Sequence, residues 1–181
     1  WELYVMNADG SNPQNLTQTP TLHEMYPQAS RDGARICFLQ DELRDGETVR
    51  SVYYMNADGT GRTLVAENAR QPCWSPDGSR IAFVKNEFSR FRITDYASKG
   101  LFFYDLKTGA ITEHPNQEIM HLYTLNWTAD GRWIISTIHA GMGFKHGILA
   151  LPVDGMGVYT LGIPGCRPCP SNDGARITWS S

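Results

Sequence analysis

The stretch PCWSPDGSRIAFVK, residues 72–85, sets one short apolar run on each side of Asp77-Gly78, and its pattern returns three more times. The copies are PQASRDGARICFLQ from Pro27, LNWTADGRWIISTI from Leu125 and PCPSNDGARITWSS from Pro168 to the last residue. The turn aspartates Asp32, Asp77, Asp130 and Asp173 stand 45, 53 and 43 residues apart, the spacing of a blade repeat. Between these hairpins lies a second recurring unit, a β-branched or aromatic run followed by a turn. It reads LYVMNADGSNPQNLT from Leu3, VYYMNADGTGRTLV from Val52, LFFYDLKTGAITEH from Leu101 and ILALPVDGMGVYTLG from Ile148.

Each repeat is thus two hairpins, or four antiparallel strands A to D, which is the blade of an all-β propeller. Ile36 and Phe38, Ile81 and Phe83, and Ile177 and Trp179 alternate at period two, placing each pair on one face of its strand B, between blades. A single blade cannot cover both its faces, so the turn chemistry repeats with the blade. Asp-Gly turns suit the positive φ of a tight hairpin. Residues 27–65, 71–114 and 123–161 are expected to be three whole blades. The chain opens on strands C and D (1–17) and ends on strands A and B (167–181), which predicts a fourth, composite blade, closed within one chain or by exchange in a homodimer.

The chain carries 16 Lys+Arg against 19 Asp+Glu and a net charge of −3, which gives no basic face for nucleic acid. No apolar run reaches membrane-spanning length, so membrane insertion is not expected. The sequence has no G-x-S-x-G, H-E-x-x-H or P-loop, so no hydrolase or nucleotide chemistry is called for and no cofactor is expected. The NADG turns lack the ligand ladder of a calcium loop. Cys166 and Cys169 have half of a zinc or redox spacing but sit where a strand begins. Cys37 and Cys73 read as small buried hydrophobes.

The pattern MNADG…LT followed by P-x-W-S-P-D-G-x-R-I-A-F resembles the TolB-like propeller repeat of bacterial proteins, most closely over residues 72–83. The resemblance implies a non-catalytic, protein- or peptide-binding propeller, periplasmic or secreted. It is also similar to oligogalacturonate lyases, propellers in which histidines hold a divalent metal, and this is the enzymatic alternative. An inactive fragment of a larger propeller protein is a third reading.

Strand parity divides the molecule into two faces. A–B and C–D turns leave on one, and the dissimilar B–C and D–A segments leave on the other, where 40–50, 85–100 and 139–147 read as long loops. Binding is expected on this loop face. The segments leading into each strand A bring Met25/Tyr26, Arg70/Gln71, Tyr123/Thr124 and Cys166/Arg167 around the channel mouth. Tyr26, Arg70, Tyr123 and Arg167 are the expected contacts there, with Phe88, Phe91 and Arg92 on the longest loop. His23 and His121 each precede their turn aspartate by nine residues and are the candidate metal ligands.

Overall fold

The computed structural model describes residues 1–94 and 96–181; Asp95, within the expected 85–100 loop, lies outside the described residues. The described residues form strands and no helix. The first blade is β3 (His23–Ala29), β4 (Arg35–Arg44), β5 (Glu47–Asn56) and β6 (Thr63–Glu67). The second is β7 (Ala69–Trp74), β8 (Arg80–Asn86), β9 (Ser98–Asp105) and β10 (Ile111–Glu113), and the third is β11 (Leu122–Trp127), β12 (Trp133–Ile138), β13 (Gly147–Pro152) and β14 (Tyr159–Thr160). Each is an antiparallel sheet in simple order, so the strands labelled A to D from the sequence are neighbours in space.

Apolar alternation along strand B stacks the blades. Cys37 and Leu39 of β4 meet Ile81 and Phe83 of β8 in one core, while Ala82 and Val84 turn the other way to meet Ile134 and Ile138 of β12 in the next. Ile81, Phe83, Ile134 and Ile138 are fully buried, each worth about 2 kcal/mol of transfer free energy. Trp74 adds a directional link, its Nε1–H donating to the Gln28 carbonyl of the preceding blade at 3.0 Å.

The ends form two-stranded sheets, β1 (Tyr4–Val5) with β2 (Gln14–Asn15) and β15 (Cys166–Pro170) with β16 (Ile177–Ser180). No ladder joins these two hairpins among the described residues, so the pairing expected of the ends is not made inside one chain. Each end packs on its own neighbour instead. Leu3 and Leu16 cover Phe38 and Met55 of the first blade, and β15 lies against β11 and β12. At the turn face Arg31 Nη2 donates to the Asn172 carbonyl at 3.2 Å. Trp1, Tyr4, Met6 and Trp179 stay exposed on the terminal hairpins.

The repeated turns work differently from a two-residue Asp-Gly hairpin. In each A–B turn only the glycine takes positive φ: 70° at Gly33, 67° at Gly78, 73° at Gly131 and 72° at Gly174. The aspartate acts through its carboxylate. Ser75 Oγ donates to Asp77 Oδ1 at 2.6 Å and accepts the Arg80 N–H at 2.9 Å, and Asp77 Oδ1 also accepts the Ser79 N–H at 3.0 Å. Ser30/Asp32, Thr128/Asp130 and Ser171/Asp173 repeat this arrangement. A four-residue loop leaves backbone donors without ladder partners, and a Ser/Thr two residues before the Asp satisfies them.

The segment 40–50 is not a loop. β4 and β5 run ten residues each and are joined by Asp45-Gly46, with φ of 50° and 81°. Both central residues are thus in the conformation that an Asp-Gly two-residue hairpin favours. Arg50 clamps it, pairing with both oxygens of Asp41 across the strands at 2.7 Å.

Candidate binding site on the loop face

The inner strands β3, β7, β11 and β15 share one irregularity. Their ladders slip between Met25 and Gln28, Arg70 and Cys73, Tyr123 and Asn126, and Cys166 and Cys169. At each slip one non-glycine residue takes a left-handed backbone: Tyr26 (φ 54°), Gln71 (58°), Thr124 (54°) and Arg167 (55°). The sequence explains where the bulge falls. The next residue is Pro27, Pro72, Leu125 or Pro168, and a proline has no N–H for the ladder, so in a strand it belongs at a bulge.

The four bulges surround a cavity of about 360 Å³ that is lined by Tyr26, Gln71, Thr124 and Arg167 together with Gln28, Tyr123 and Asn126. Backbone donors released by two of the slips find side chains. The Thr124 N–H donates to Gln71 Oε1 of the preceding blade at 2.9 Å, and the Arg167 N–H donates to Thr137 Oγ1 at 2.9 Å. Asn126 Nδ2 donates to the Pro168 carbonyl at 2.6 Å, tying the third blade to the last hairpin. Left-handed backbone at a non-glycine residue costs on the order of 1–3 kcal/mol and persists where surroundings hold it. Here these bonds do so at Thr124 and Arg167.

Arg70, expected with Tyr26, Tyr123 and Arg167 as a contact at the channel mouth, has another role in the structure. It is 1% exposed, with Nε donating to Asn86 Oδ1 at 2.7 Å, Nη1 to the Thr94 carbonyl at 2.5 Å and Nη2 to the Arg92 carbonyl at 2.8 Å. It ties β8 to the segment before β9 and is buried rather than presented at the surface. Its position, one residue before a bulge, turns it under the loop while Gln71 faces the channel.

Of the other expected contacts, Tyr26, Tyr123 and Arg167 line this cavity, whereas Phe91 lines a separate one with Tyr26, Arg50 and Trp1. Tyr26 is 60% exposed. Tyr123 places its hydroxyl 3.2 Å from His146 Nε2. On the loop, Phe88 is exposed beneath the Arg92 guanidinium, and Phe91 lies against Arg50 at 4.8 Å. Tyr96 stacks on His139 of the third blade at 3.9 Å between ring centroids, bracing the loop across the blades. No local sequence pattern signals this stack, because its partners belong to loops of different blades.

The two candidate metal ligands are engaged separately. His23 Nδ1 lies 3.0 Å from the Trp1 amino nitrogen. His121 Nδ1 donates to the Ala140 carbonyl at 2.7 Å, and its Nε2 faces Glu87 at 3.3 Å. Among the described residues no three His, Cys, Asp or Glu side chains are grouped to hold a metal ion, so this donor set does not fit the metal of the enzymatic alternative. Cys37 and Cys73 are buried thiols. Burial, with Cys73 nearby, pushes Cys37 well up, and burial pushes Cys73 up to about 12.

No protein-family model matches the sequence, and no curated protein matches it. Solved structures do resemble it. An oligogalacturonate lyase in complex with manganese superposes with a TM-score of 0.64 at 14% identity, over 99% of this chain and 50% of that one. The β-propeller domain of the trilobed protease from Pyrococcus furiosus, described as an open velcro topology, gives 0.56 at 18% identity over 77% of this chain and 41% of its own. The acylaminoacyl peptidase of Pyrococcus horikoshii gives 0.57 at 16% identity over 77% of this chain and 24% of its own. The chain therefore has the β-propeller fold, and it spans less than half the length of the protease domain and of the peptidase.

Proposed function

We propose that this chain is a non-catalytic, TolB-like binding propeller that takes a protein segment or peptide at the mouth of its channel. The observation that carries the reading is the bulge repeated on all four inner strands, which turns Tyr26, Gln71, Thr124 and Arg167 toward one cavity. Strain kept at four equivalent positions is a signature of a functional site. The aromatic and arginine content of the mouth is that of interface anchors, and a neighbouring loop of the same face is held by a buried guanidinium.

The test is retention of the chain by an array of mixed-sequence octapeptides. Tyr26→Ala and Phe88→Ala remove exposed rings with little effect on folding, and each is expected to weaken retention by about 1–3 kcal/mol if it is an anchor. Retention that neither substitution changes would contradict the reading. The terminal hairpins, with Trp1, Tyr4, Met6 and Trp179 exposed, are proposed to pair in a second copy of the chain. A monomeric mass by sedimentation at high concentration would contradict that part.

A further inference from the structure

We propose that the channel holds a free carboxylate, gripped by Arg167, and that a peptide enters it by its C-terminal end. This deepens the peptide-binding reading and rests on it.

The argument begins with charge. Among the described residues the channel lining contains no Asp, Glu or Lys, and Arg167 is its one charged side chain. Four arginines elsewhere are engaged: Arg50 with Asp41, Arg62 with Glu24, Arg44 with Glu42 and Glu67, Arg70 with two loop carbonyls. The Arg167 side chain is exposed and has no ion pair or hydrogen bond among the described residues. A single guanidinium in a neutral, concave wall attracts an anion and has no neighbouring acid to compete for it.

The surroundings then select the shape of that anion. The backbone of Arg167 is fixed in left-handed geometry by its N–H bond to Thr137 Oγ1, which itself lies 2.9 Å from Thr124 Oγ1. The base of the side chain is therefore pinned while its head is free. A guanidinium fork matches the two oxygens of a planar carboxylate. Across the channel, Gln71 accepts the Thr124 N–H with Oε1, so its amide N–H groups remain as donors toward the cavity. Asn126 gives Nδ2 to Pro168, which leaves Oδ1 as an acceptor for a peptide N–H. One cation, an amide donor and an amide acceptor in one small channel fit the terminal carboxylate and the last peptide group of an extended chain.

The test uses the whole chain on two arrays of mixed-sequence octapeptides anchored through their N-termini, one ending in free acids and one in carboxamides. The free acids should be retained at least about tenfold more strongly. Arg167→Gln should bring the acids down to the level of the amides and leave the amides unchanged, and Arg167→Lys should keep part of the preference. Because Arg167 is exposed, the thermal transition of both variants should match that of the parent chain, which separates loss of the site from loss of the fold. Equal retention of the two forms, or a preference that survives Arg167→Gln, would overturn the proposal. If neither peptide form is retained, the peptide reading fails, and titration with digalacturonate judges the carboxylate separately. Binding that Arg167→Gln abolishes would keep the carboxylate site, and no binding would remove it too.

Discussion

The two faces of this propeller solve opposite problems with the same strands. On the turn face every blade repeats one device, a Ser or Thr, an Asp two residues on and a Gly of positive φ. On the loop face each blade differs: a hairpin of two ten-residue strands in the first, a long loop clamped by Arg70 in the second, and in the third the segment after β12 with Ala140, Gly141, Met142 and Gly143 all at positive φ. Where side chains are consumed in making the turn, sequence is free to repeat. Where they face outward, it diverges. The bulges of the inner strands lie between these regimes, constant in backbone and variable in side chain, which is what a repeated scaffold needs in order to present one site.

The largest effect expected from breaking this contrast is at Arg70. Arg70→Ala removes the donors that hold Asn86 and the carbonyls of Arg92 and Thr94, and should cost about 3 kcal/mol. Limited proteolysis should then cut within 87–97 before the blades unfold. Next come two glycines of the turn face. A Cβ at Gly59 would lie 2.7 Å from the Leu16 carbonyl oxygen, whereas one at Gly78 meets nothing within 4 Å. Gly78→Ala should cost about 1 kcal/mol through its backbone alone. Gly59→Ala should cost about twice that, since it also displaces the N-terminal hairpin, and urea denaturation of the two variants compares them directly.

Acid should weaken the turn face. Ser and Thr hydroxyls hold the carboxyls of Asp9, Asp32, Asp58, Asp77, Asp105 and Asp173 below the usual value of 3.8, and Thr128 with Arg132 holds Asp130 down to about 2. A carboxyl lowered by folding stabilises fully above its unfolded pKa, and that contribution disappears as pH falls through its folded pKa. For Asp130 the loss therefore runs from about pH 4 to about pH 2. The denaturation midpoint should fall over that window, with Asp130→Asn showing a shallower slope. The smallest effect on stability is expected at Tyr26, where Tyr26→Ala should change the denaturation free energy by no more than about 0.5 kcal/mol.

The four-stranded antiparallel blades, their strand order and the division into two faces were legible in the sequence, because Asp-Gly turns and period-two alternation are local signals that repeat. The 40–50 segment reads wrongly as a loop: Asp45-Gly46 marks its hairpin, but the polar runs on both sides disguise the strands. The site was legible only to its neighbourhood. Pro27, Pro72 and Pro168 mark the bulges, yet the bulge decides which of two neighbours faces the channel, so a choice by residue type puts Arg70 at the mouth where Gln71 stands. The Tyr96–His139 stack and the Gln71–Thr124 bond join different blades, and no local pattern encodes which loops meet.

Hydrogen–deuterium exchange of the chain with and without the octapeptide pool tests the central claim most directly, because it reports both faces in one experiment. Binding at the channel mouth predicts added protection in 23–29, 68–72, 87–97, 121–126 and 164–169, with the turns at 30–35, 75–80, 128–133 and 171–176 unchanged. Protection confined to those turns would contradict it.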